Sequence, residues 1–491
     1  MILNLVWFRR DLRLVDNQMV SMSNDSGHPC LPFFIVDPFF YTQWSEISYS
    51  RTTFLFESLL SLHNDLQTKK SHLTLFEGNS KDVIKSLLTG LISIGHTPKL
   101  YYNADVQINY GIARDKEIFK LCQSLGVETI VGKNSFLEIK PLSMDSWRKS
   151  YYAYNSEALW VEPTQIRTIN LHTKVPRISF YELKTKYQRF WLPEKRLFSA
   201  GQRQAESTLK SFLTSRISGY HWKLSRPWLS LQGSTTHLSP NIAFGNISTR
   251  FIYQKVVEHY KINNKSLNIT ARAFLERLRW RDSFVNKLYL KPEHVLETRF
   301  KEFEPLHDDI DLTSDKRLLY ETWKNGLTGF PLVDASMRQL KTIGWLNFRM
   351  RAMVATFLCI NCGISWKLGA LHFMNYLIDG DVAIDHWQWQ MQAGITNPLS
   401  KSFRIYDPTK NLLDRDPDLQ FVRYWLPELK AASKDEILSH SSGESKISGY
   451  TMQILDFKAT KQTNGKLISD LRKQVRNRIS LKLNSSFESS I

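Results

Sequence analysis

Two stretches decide the fold: Trp323 to Leu358, WKNGLTGFPLVDASMRQLKTIGWLNFRMRAMVATFL, and Trp366 to Gln390, WKLGALHFMNYLIDGDVAIDHWQWQ. Their apolar residues recur at helical spacing, while arginines, aromatics and aspartates gather where the apolar runs end. Charges placed there cost too much to bury unless a partner or a ligand satisfies them. The segment reads as the wrapping of a redox cofactor. From about residue 201 the same helical period dominates, in AESTLKSFLTSRI, STRFIYQKVVEHY and ARAFLERLRWRDSFVNKL. An all-helical domain is therefore expected over 201–480, with 481–491 as a frayed tail.

The beginning of the chain follows another rule. ILNLVWF (2–8) is a continuous apolar run stopped by RRDLRLVDN, as in a buried parallel strand that ends in a polar loop. LPFFIVD, HLTLFEG, KLYYNAD and VETIVG repeat the pattern, and amphipathic stretches separate them. Alternating strands and helices predict a doubly wound α/β domain with a parallel sheet over 1–135. Between 136 and 200 the pattern dissolves among Pro141, Pro163, Pro176 and Pro193, which predicts an ordered connector.

At 491 residues, 42% of them apolar, the chain can bury two or three cores. A net charge of +18 points to a polyanionic partner, with nucleic acid ahead of a merely basic solubility surface. Fourteen Trp favour aromatic stacking or electron transfer, although most must serve core packing. Four Cys make no disulfide framework, and Cys359 and Cys362 sit in an apolar run without a second pair for a metal. No metal site is expected. No apolar run spans a bilayer and the N-terminus lacks a leader pattern, so a cytoplasmic, membrane-free monomer is expected.

Three constellations carry chemistry. In STTHLSPNIAFG, Ser239 is expected as an N-cap with Pro240 following, and Thr235, Thr236 and Ser239 would offer hydroxyls and N–H groups to a phosphate. An ordinary capped helix is the plain alternative. FLERLRWRDSF packs Arg277, Arg279, Trp280 and Arg281 into one or two turns, a pattern suited to phosphate contact plus base stacking, or to a solvated basic face. Arg349 and Arg351 open one apolar helix, and Asp379 and Asp381 close another. One carboxylate could pair with an arginine while the other accepts from a ligand N–H, or both could belong to a surface ion pair.

Together these motifs resemble the photolyase/cryptochrome family of flavoproteins over nearly the whole chain. VWFRRDLRLVDN, TTHLSPNIAFGNIST, WKNGLTGFPLVDASMRQL, LIDGDVA, RIYDPTKN and FVRYWLPEL match it in order and spacing. The resemblance implies FAD in the helical domain, with Tyr220, Thr235, Thr236, Leu238 and Ser239 at its phosphates. It implies an Arg351–Asp379 ion pair beside the flavin ring, and Asp381 accepting from the ring N–H. Trp280 and Trp389 match the indoles that wall a pyrimidine dimer flipped out of DNA. Trp387 and Trp366 match the first two members of a photoreducing tryptophan chain. The implied activity is light-driven dimer repair by electron transfer from reduced FAD, or blue-light sensing through a flavin radical. An antenna folate or deazaflavin is implied in the first domain.

Several positions depart from the family pattern. Arg277 stands where a dimer-binding Glu is common, and Phe348-Arg349 replaces an Asn-Arg pair among the substrate contacts. Thr313 falls at the outer tryptophan. Two glycines before WQW are missing, which brings Asp385 to the position facing flavin N5, with His386 as a second candidate proton donor. Tyr110 occupies a position where folate binders tend to have Glu.

Overall fold

The computed structural model describes the chain except residues 44, 105, 107, 138–142, 170, 172, 191–196, 263–267, 308–309, 401–402 and 489–491, and the side chains of 262 and 482–488. The residues group into two compact units. One comprises Met1–His221, Thr236–Leu290 and Ile378–Asp381; the other comprises Trp222–Thr235, Lys291–Leu377 and Val382–Ile491.

The first unit is built on five strands: β1 (Ile2–Trp7), β2 (Cys30–Val36), β3 (Thr74–Glu77), β4 (Thr97–Ala104) and β5 (Glu128–Lys133). They lie in the order β3-β2-β1-β4-β5, and every pairing is parallel. Asn4 aligns with Cys30 on one side and Lys99 on the other, so β1 is the central strand. Its residues Leu3, Leu5 and Trp7 are buried among Phe33, Phe76, Leu100 and Tyr102, which is why this strand reads as an apolar run interrupted only by Asn4, whose buried side chain donates to Ser23 O and Ser26 Oγ. The intervening helices start where the sequence supplies caps: Ser48 accepts from Arg51 N ahead of Tyr49–Thr68, and Asn79 from Lys81 N ahead of Ser80–Ser93.

The stretch 136–200 has structure of its own. It contains the helices Met144–Ser156 and Phe180–Lys186, and it returns to the sheet through bridges Cys30–Thr168 and Phe76–Arg177. Pro141 and Pro193 lie outside the described residues.

Polar groups buried in the loop after β1 hold this unit to its helices. Asp16, in the left-handed region at φ 53°, accepts from Ser248 Oγ at 2.6 Å and from Arg250 and Trp160 N. Arg13 donates to Gly245 O at 2.9 Å and Asn134 Oδ1 at 2.8 Å. Gly245 has no side-chain alternative, since a Cβ there would sit 2.0 Å from Arg10 O.

The second unit is helical. Its core joins Trp323, Phe330, Met353, Trp366, Phe373 and Trp389 to the later helices. The turn before Pro331–Ile343 is fixed by the buried Asp334, which accepts from Thr328 N and Oγ1, Gly329 N and Tyr450 OH. The last helix, Phe457–Glu488, carries on through most of the stretch expected to fray. Its periodic face, with Ile468, Arg472 and Val475 buried, extends the helix where composition alone reads as a loose end. Among the described residues no single helix is long and apolar enough to cross a membrane.

Asp16→Ala should cost about 2–4 kcal/mol, because the buried Arg250 would keep only the longer contact to the exposed Glu157, at 3.5 Å. Urea unfolding measures this, and a change within error would show that the pair contributes nothing.

Candidate functional site

In the first unit the predicted residues gather on and beside the helix Ile269–Leu290. Tyr220 is buried edge-on between Phe212 and Phe274, at 5.6 and 5.5 Å. Burial pushes its phenol up to about 12. Arg277 lies with its guanidinium 4.5 Å from the centroid of Trp280, one turn along the helix, and Trp280 is 38% exposed. The pair forms a cationic aromatic plate at the surface, as the RLRWR pattern allows. Arg281 turns inward and pairs with the buried Asp282 at 2.7 Å.

The expected phosphate loop is less regular. Ser239 is the first residue of a five-residue helix, Ser239–Ala243, and the cap is Leu238. The reading of Ser239 as N-cap is corrected by the loop geometry. His237 adopts φ 56° and Thr236 Oγ1 accepts from Leu238 N at 3.2 Å, which shapes the turn before the helix, while no side chain caps the helix itself.

Asp379 and Asp381 end the same cluster in the first unit. Asp379 is half-buried, whereas Asp381 is buried and accepts from Arg10 Nη1 at 3.1 Å. Arg10 belongs to the RRDLR motif after β1, and sequence reasoning gave it no role. The twin arginine at the end of a buried strand was the available signal, but its partner lies 371 positions away. A carboxylate has two oxygens, so Asp381 keeps acceptor capacity beyond this pair.

The second unit supplies the remaining residues. The helix Phe348–Thr356 is capped by Asn347, whose side chain accepts from Met350 N and donates to Leu224 O. Arg351 is half-buried and donates from Nε to Leu346 O at 2.8 Å. Arg349 lies 5.8 Å from the Phe348 ring and 5.1 Å from the Tyr406 ring. Desolvation draws its guanidinium below the usual range. Next to Thr235, the buried hydroxyl of Ser234 has no protein partner among the described residues.

Helix Val382–Gln392 carries Asp385, His386, Trp387 and Trp389 in little more than one turn. His386 Nδ1 is 3.8 Å from Asp385 Oδ2, and the imidazole meets the Trp366 ring edge-on at 5.6 Å. Burial lowers the imidazole to about 4, so His386 is neutral at physiological pH. Trp366 is fully buried and donates from Nε1 to Thr298 Oγ1 at 3.2 Å. Arg299 stands 6.0 Å from the Trp387 ring centroid. Trp389 is 2% exposed, packed against Phe373 and Trp323. Thr298 and Arg299 were not singled out in the sequence, since nothing local marks a threonine as an indole acceptor.

The buried Ser234 hydroxyl, without a protein partner among the described residues, suits a ligand rich in phosphate and hydroxyl oxygens. That observation fits FAD. Among the described residues no cluster of metal ligands occurs.

Residues 4–154 match the family model described as DNA photolyase, and residues 274–470 match the FAD binding domain of DNA photolyase. The chain is 28% identical to a deoxyribodipyrimidine photo-lyase of Buchnera aphidicola over 87% of its length and 88% of the relative's. It is also 28% identical to a cryptochrome DASH of Synechocystis, covering 88% and 89% of the two chains. A solved archaeal photolyase of Sulfolobus tokodaii, described with two FAD molecules, matches with a TM-score of 0.76 at 26% identity, over 96% of this chain and all of that one.

His386 should keep a constant imidazole carbon shift in NMR titration until the pH nears about 4. Its folded pKa lies below the unfolded 6.5, so its contribution to stability is whole above pH 6.5 and is lost as pH falls toward 4. Titration near 6.5 in the folded protein would remove the burial argument.

Proposed function

Because the chain belongs to the photolyase/cryptochrome family of flavoproteins and carries its FAD-binding domain, we propose that it repairs pyrimidine dimers in DNA under blue light. FAD is its cofactor. When bound, reduced FAD supplies the photochemistry: it gives an electron to the dimer on excitation and takes it back once the dimer has split.

The protein's own residues bind and orient. Tyr220, Thr235, Thr236, Leu238 and Ser239, with the neighbouring Ser234, would hold the FAD phosphates and ribityl hydroxyls. Arg351, Asp379 and Asp381 would flank the flavin ring. Arg277, Trp280, Phe348 and Arg349 would receive the DNA, whereas Arg281, turned inward to Asp282, and Trp389, packed in the core, offer it no surface; Trp387 and Trp366 would conduct electrons. The observation that carries repair ahead of sensing is the exposed Trp280 under the Arg277 guanidinium, on a chain of net charge +18. Such a plate offers an unpaired base a stacking face and a nearby positive charge.

The cavity of about 100 Å³ at the ends of β1 and β2 is our candidate for the antenna. Arg9, Arg10, Arg51 and Arg114 line it together with Trp7 and Phe40, which favours an anionic aromatic chromophore such as a folate, a deazaflavin or a second flavin. The same proposal treats the protein as a cytoplasmic monomer away from membranes. It also keeps the division into 1–135, 136–200, 201–480 and 481–491, to be tested by limited proteolysis.

A second reading, photoreception without repair, is favoured by Asp385, 9% exposed beside His386 on one helical turn. A buried carboxyl there could deliver a proton to the ring. In that case blue light gives a long-lived red-absorbing species in the wild type but not in Asp385→Asn.

Purified protein, reduced and illuminated, should restore DNA carrying cyclobutane dimers or (6-4) products, assayed in parallel on single and double strands. No repair of any substrate overturns the first reading. Trp280→Ala should weaken binding of dimer-containing DNA by about 1–3 kcal/mol, read by fluorescence anisotropy.

A further inference from the structure

The position of the outer relay tryptophan holds Thr313, which caps the helix Ser314–Asn325 by accepting from Lys316 N. A hydroxyl in that place cannot conduct an electron. A different aromatic column in the same unit leads outward. Trp389 meets Trp323 edge-on at 6.1 Å, and Trp323 lies parallel to Tyr320, at 6.1 Å and 15°. Phe373 braces both indoles, at 4.9 Å from Trp389 and 6.3 Å from Trp323. Gly369 makes this packing possible, because a Cβ there would fall 2.3 Å from Cζ3 of Trp389.

The column runs from a buried end to a wetter one. Trp323 is fully buried, Trp389 is 2% exposed, and Tyr320 is half-buried with its hydroxyl donating to Leu368 O at 2.9 Å. The buried end lies one turn beyond Asp385, at the i, i+4 position on the same face of the helix Val382–Gln392. That face is the one our functional reading turns toward the flavin.

We propose that Trp389, Trp323 and Tyr320 form a second electron relay, independent of Trp387 and Trp366. The inference rests on the FAD reading. Photoexcited oxidised flavin is the oxidant and removes one electron from Trp389. Trp389 is refilled from Trp323, and Trp323 from Tyr320. Tyr320 loses one electron and its phenolic proton, the proton leaving to solvent. A soluble thiol then returns one electron and one proton to the tyrosyl radical. Rings in contact at these spacings pass an electron between neighbours by short steps, and a phenol at the outer end traps the hole by giving up its proton.

The test uses FAD-loaded, oxidised protein and flash photolysis with electron paramagnetic resonance, so that the radical itself is read. Trp366→Phe should still produce a tyrosyl radical, which ring-deuterated tyrosine narrows. Adding Tyr320→Phe, which keeps the ring and the packing, should lower the yield of separated radical by about tenfold. Trp323→Phe in the same background should do the same, and the two together no more, because the members act in series. Loss of all radical signal in Trp366→Phe with Tyr320 intact overturns the proposal. So does an unchanged signal after Tyr320→Phe. A wild type that takes up no FAD defeats the functional reading itself, and its lack of colour distinguishes that failure from the relay's.

Discussion

A buried carboxylate has to be matched by donors that are already in place, and Asp16 is where this constraint shapes the first unit most. It takes hydrogen bonds from Ser248, Arg250 and the backbone of Trp160 while it lies in the loop that leaves β1. The central strand, the connector and the helix Thr249–Ile262 are thereby fastened at one point. Arg13 adds a second fastening by reaching Gly245 O and Asn134. Breaking either would leave charge in an apolar interior, so the segments that hold functional residues cannot drift from the sheet at small cost.

The second unit obeys the same constraint differently. Asp334 collects three donors from the turn that precedes the helix Pro331–Ile343, and Tyr450 closes the group from a distant loop as the fourth. Around it the aromatic core is dense, and that density decides chemistry as well as stability. It removes Trp389 from the surface, places His386 against Trp366, and lowers the imidazole far enough to keep it neutral. Trp280 and Trp389 share a family motif role, yet one is an exposed plate and the other a core residue.

Much of the fold was legible in the chain. The alternation in residues 2–133 yields a parallel sheet because strands covered on both faces must be apolar throughout. The helical spacing around Trp323 to Trp389 reflects one face turned to a core. The five-residue helix at Ser239 was harder, since Ser-Pro is a good start signal but, after His237 at positive φ, the cap position falls on Leu238. The stretch beyond residue 480 read as loose because its composition is polar, whereas the backbone continues the helix Phe457–Glu488.

The sequence by itself determined the two fold classes, the family and the identity of the FAD, since these follow from periodicity and from motifs that are local in the chain. Only the tertiary structure decided which charges meet and which indoles touch. Arg10 and Asp381 are 371 residues apart, and Trp323 and Trp389 come into contact through helices whose packing no spacing encodes. Exposure is likewise a property of the packed chain: whether a tryptophan is a stacking plate or a relay depends on the side chains that cover it.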